Sequence, residues 1–139
     1  MGWFGHQKLG VALVCADWRL HHPRVDFYRR LAKLMKVDVV DVVAVPGPDG
    51  LLLPDRENDW NSVVGWVRLL IGAHEPSKIA VVAHQKCAGH NVDNDQHEHD
   101  VLEAAVALKE RTGFEGGVLA VVAVHESDKK WGLNALGEY

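Results

Sequence analysis

Short apolar runs of strand length alternate along this chain with segments whose apolar residues recur every three or four positions, and that order constrains the fold more than any other feature. Residues 9–14 are apolar or small throughout, as in a strand buried on both faces, and the run ends at Cys15. Pro23 is placed to open a helix at its first position, with Val25, Tyr28, Leu31, Leu34 and Met35 on one face. Residues 37–45 are rich in β-branched side chains, and Pro46-Gly47-Pro48-Asp49-Gly50 then suits neither strand nor helix, so a loop is expected to about Asn58. Asp59 is the expected N-cap of a second helix carrying Val63, Val64, Val67, Leu70 and Ile71.

Residues 78–83 form the next strand-like run and lead into His84-Gln85-Lys86-Cys87-Ala88-Gly89-His90. A helix centred on residues 101–109 follows, with Gly113 as its stop. A strand over 118–124, a polar turn Glu126-Ser127-Asp128 and a short tail with Trp131 complete the chain. Parallel strands joined by right-handed crossovers imply a doubly wound α/β sheet of four or five strands in the order 2-1-3-4, with helices on both faces. At 139 residues, one domain spanning 1–139 is expected.

Composition removes several functions. A net charge of −4 with dispersed basic residues argues against nucleic-acid binding. No apolar run approaches a membrane span, and the opening Met1-Gly2-Trp3-Phe4-Gly5-His6 lacks a charged region followed by an apolar one, so a cytoplasmic protein is expected. The glycines do not fall in the order of a phosphate-cradling loop, and Trp60 and Trp66 are read as packing residues.

In a doubly wound sheet ligands bind where the winding reverses, outside the carboxyl ends of neighbouring strands. With the order 2-1-3-4 those are the ends of the first and third strands, at Cys15 and His84. Cys15-Ala16-Asp17-Trp18-Arg19 and His84-Gln85-Lys86-Cys87 then meet at one rim. Two thiolates and one imidazole suit Zn2+ and leave one coordination position for water. Asp17 would either orient that water or close the site as a fourth ligand, with Arg19 holding its carboxylate in a bidentate pair. The plainer alternatives are two buried thiols and a structural ion pair. His90, His97, His99 and His125 are further candidates for ligands or proton carriers, but a histidine-rich polar segment is ordinarily solvated, and that reading is preferred.

The paired motifs CxDxR after the first strand and HxxC after a later one resemble those of the β-class carbonic anhydrases, over most of the chain. The resemblance implies that Cys15, His84 and Cys87 bind zinc, that Asp17 and Arg19 form the catalytic dyad, and that the reaction is hydration of carbon dioxide to bicarbonate. It also implies a homodimer or a multiple of dimers. Trp18, the stretch 45–48 and Ala88 depart from the family pattern, so a pocket of altered shape is expected, suited to carbon dioxide, carbonyl sulfide or carbon disulfide. A non-catalytic or regulatory zinc domain is the other functional class.

Overall fold

The computed structural model describes residues 7–127 and 129–139; the opening 1–6 and Asp128 of the polar turn lie outside the described residues. Five strands, β1 (Leu9–Cys15), β2 (Val39–Val45), β3 (Lys78–His84), β4 (Gly117–Ser127) and β5 (Lys130–Glu138), form one sheet in the order β2-β1-β3-β4-β5. The first four are parallel, with Cys15 level with Val45 and His84 level with Ala123. The fifth is antiparallel to β4. The short tail that carries Trp131 is therefore the fifth strand, at the edge of the sheet.

Alternation along each central strand builds two cores. Val11, Leu13, Ile79, Val81, Val118 and Ala120 face helices α4 (Glu57–His74) and α5 (Asn94–Thr112). Their neighbours Ala12, Val14, Ala80, Val82, Val121 and Ala123 face α1 (Trp18–His21) and α2 (Phe27–Met35), together with Trp131 of β5. Continuous apolar runs are what a parallel sheet covered on both sides requires. Among the described residues, no helix is long and apolar enough to cross a membrane.

Several boundaries differ from expectation, and β4 runs on through Glu126 and Ser127 of the expected polar turn. Pro23 opens a 3-10 turn, Pro23–Val25, and α2 begins only after Asp26, whose left-handed backbone (φ 55°) breaks the path. The stretch expected to be a loop holds a one-turn helix, α3 (Pro48–Leu51), because proline lacks the amide that a first helical position leaves unused. Asp59 lies inside α4; Arg56 occupies the N-cap, and Arg56 Nε donates to Asp59 Oδ2 at 2.7 Å. Trp60 is buried as expected, whereas Trp66 is half exposed.

Candidate metal centre

The site follows from where strands stop. β1 ends at Cys15, after which Ala16 N–H donates to the Val45 carbonyl and the chain turns outward. Asp17 caps α1, its Oδ1 accepting from the Arg19 amide at 3.0 Å. The Arg19 side chain folds back onto the same carboxylate: Nε donates to Oδ1 at 3.0 Å and a terminal nitrogen donates to Oδ2 at 2.6 Å. That terminal nitrogen also donates to the Lys86 carbonyl at 2.9 Å, tying the β1 turn to the β3 turn. The expected Asp17–Arg19 pair is thus formed, and it also bridges the two motifs.

β3 delivers His84, fully buried, with Nδ1 2.8 Å from the Gln85 carbonyl, which fixes the ring. Lys86 takes a left-handed turn (φ 57°) and returns Cys87 beneath Cys15. One ligand atom from each of Cys15, His84 and Cys87 lies within 4.8 Å of the others, so these three residues could hold a metal ion. Asp17 stands beside them, its Oδ2 3.9 Å from His84 Nε2.

Two observations test the fit of zinc. The sulfurs of Cys15 and Cys87 are 3.8 Å apart. Two thiolates each about 2.3 Å from one tetrahedral zinc stand roughly 3.8 Å apart, so the pair needs little movement to bind. His84 Nε2 is buried without a hydrogen-bond partner among the described residues, a cost that a metal bond would remove. The donor set and its spacing fit zinc.

Electrostatics favour a thiolate in this cluster. The Cys15 thiol is lowered to about 4, chiefly by the hydrogen bond from Cys87; burial opposes this, while His84 and the Gly47 and Asp17 amides reinforce it. The Cys87 thiol is raised by the same sharing and by burial. Burial pulls His84 down, but Cys15, the Gln85 carbonyl and Asp17 outweigh it, so the imidazole is raised on balance. Arg19 holds the Asp17 carboxyl below its ordinary range, against the opposing effect of burial.

The roof is a close approach of two glycines. Gly47 has a left-handed backbone (φ 52°), and a Cβ there would lie 2.7 Å from the Gly89 carbonyl carbon. Its amide points at Cys15 Sγ, at 3.5 Å. Gly47→Ala is expected to cost about 1–3 kcal/mol in backbone strain alone. Urea unfolding would read this as a lower midpoint at unchanged slope; an unchanged midpoint would show that the approach is not constraining.

Trp131 is a part of this region that the sequence reading left unassigned. It is fully buried, with its ring edge-on to His84 (5.6 Å between centroids) and to His125 (4.9 Å), and the Arg19 guanidinium carbon lies 5.6 Å from its centroid. Only its place in an alternating tail could have signalled it. Trp18, which departs from the family pattern, is 71% exposed and lines an open cavity of about 550 Å³. The solvated reading of the histidines holds for His99 and fails for His97, which is completely buried, and for His90, which is partly buried with its side chain 13% exposed.

A mostly parallel, doubly covered sheet carrying two cysteines and a histidine at its switch point defines an α/β domain with a candidate metal centre. The family described as "Putative carbonic anhydrase" matches residues 5–132, and the chain belongs to that family. Among curated proteins none matches the chain.

Proposed function

We propose that this protein hydrates carbon dioxide to bicarbonate, with zinc held by Cys15, His84 and Cys87 and with Asp17 and Arg19 as the catalytic dyad. When bound, zinc supplies Lewis-acid polarisation and acidifies a water toward neutral pH. The observation that carries the reading is the position of Asp17. Both its oxygens accept from Arg19, and its Oδ2 stands 3.9 Å from His84 Nε2 beside the three-donor cluster, which supports a role in orienting a reactant rather than in ligation.

Each residue then has a defined task. Asp17 accepts a hydrogen bond from the attacking water and orients its lone pair toward the cavity. Arg19 keeps that carboxylate ionised and fixes its rotamer through the Lys86 carbonyl. Ala16, Trp18, Pro46 and Ala88 contribute an apolar lining, which suits a small linear nonpolar substrate. We further propose a homodimer, supported by the exposed Trp66 and Leu69 on α4, and, separately, a cytoplasmic location.

Stopped-flow hydration of carbon dioxide by zinc-loaded protein, at neutral pH and again above pH 8, tests the proposal. Activity is expected under at least one condition, and Asp17→Asn is expected to lower kcat about 100-fold or more while retaining zinc. Inactivity of the zinc-loaded protein at both values would overturn the hydratase reading in favour of a non-catalytic zinc domain.

A further inference from the structure

A second cluster of side chains that could hold a metal ion lies outside the Cys15 centre. Asp49 of α3 and His97 of α5 are both fully buried, and His97 Nδ1 is 2.7 Å from Asp49 Oδ2. His90, in the loop after Cys87, places Nε2 3.9 Å from the same oxygen. One ligand atom from each of the three lies within 4.8 Å of the others. Asp100, one helical turn beyond His97, adds a buried carboxylate whose Oδ2 is 2.6 Å from His90 Nε2.

Hydrogen bonding within the cluster leaves polar atoms stranded. Asp49 Oδ1 and His97 Nε2 are buried with no partner among the described residues. A buried carboxylate needs its charge compensated and its lone pairs filled, and each failure costs a desolvation penalty of roughly 1–3 kcal/mol. Among the described residues, the fully buried Asp49 carboxylate has one side-chain hydrogen bond, to the His97 imidazole, with His90 Nε2 farther off at 3.9 Å. A dication among two imidazoles and Asp49, with Asp100 as the second negative charge, would compensate both carboxylates.

We propose that Asp49, His90 and His97 form a second metal site, for a divalent transition-metal cation that accepts nitrogen and oxygen ligands, with Asp100 as supporting carboxylate. The donor set contains no sulfur, which separates its preference from that of the Cys15 centre: imidazole and carboxylate accept zinc, iron, cobalt and nickel ions, while thiolates select softer ions. The two sites share the loop from Cys87 to His90. A Cβ on Gly47 would lie 2.9 Å from the His90 Cβ, so occupancy of the second site would brace the roof of the first. The proposal is independent of the hydratase reading.

Equilibrium dialysis of the full chain against buffered zinc chloride, with protein-bound metal counted by mass spectrometry, tests it. The wild type is expected to hold two zinc ions per chain. Cys15→Ser combined with Cys87→Ser is expected to hold one, and Asp49→Asn and His97→Gln one each. His99 and Glu103 form an exposed pair on α5 that is a candidate for adventitious binding, so His99→Ala is expected to leave two. One zinc per chain in the wild type would overturn the proposal, whether or not the Asp49 variant folds. So would a second zinc that His99→Ala removes and His97→Gln leaves in place.

Discussion

Cys87→Ser is expected to lose one zinc ion relative to the wild type and to lose the stabilisation that this ion gives. Serine keeps the volume and removes the thiolate. Because the ligands converge from the ends of β1 and β3, the unfolded chain has no comparable site, and binding free energy becomes folding free energy. At free zinc about 1,000-fold above the dissociation constant, that contribution is about 4 kcal/mol. Thermal melts with zinc and with chelator would then differ widely for the wild type, and the difference would shrink in Cys87→Ser and in Cys15→Ser. Unchanged zinc content in both variants would remove the ligand assignment.

Trp131→Ala is expected to destabilise the protein by about 3–5 kcal/mol, the usual cost of truncating a buried tryptophan. That is a fifth or more of the whole stability of a typical domain, which is about 5–15 kcal/mol. Trp131 joins the last strand to the core under α2, and it packs edge-on against His84. Its Nε1 is buried without a hydrogen-bond partner among the described residues, so Trp131→Phe keeps much of the packing while relieving that N–H. It is expected to cost less than the alanine variant. Denaturant unfolding compares the two, and a loss below about 1 kcal/mol for Trp131→Ala would show that β5 is dispensable to the core.

The sheet and the cluster at its rim were legible because both rest on short-range signals. Apolar runs mark the parallel strands, and the order 2-1-3-4 sets the end of β1 at Cys15 beside the end of β3 at His84, where the winding reverses. β5 escaped because Lys130-Trp131-Gly132-Leu133-Asn134 mixes polar residues and glycine, and it becomes a strand only by pairing with β4. Asp59 looked like a cap, yet the 3-10 turn Pro54–Arg56 feeds the helix in earlier.

The buried histidines failed for a different reason. His90, His97, Asp49 and Asp100 look solvated one segment at a time, and they are buried only because three distant segments supply partners to one another. Local composition carries no record of such pairing. Even so, His97 and Asp100 are three apart on one helix, a spacing that places them on the same face.

Zinc K-edge X-ray absorption on protein loaded with a single equivalent of zinc tests the central claim most directly, since thiolates compete best for the first ion. Two sulfurs at about 2.3 Å with lighter atoms at about 2.0 Å are the expected shell, matching Cys15, Cys87, His84 and one exchangeable oxygen. A shell of nitrogen and oxygen alone would contradict it.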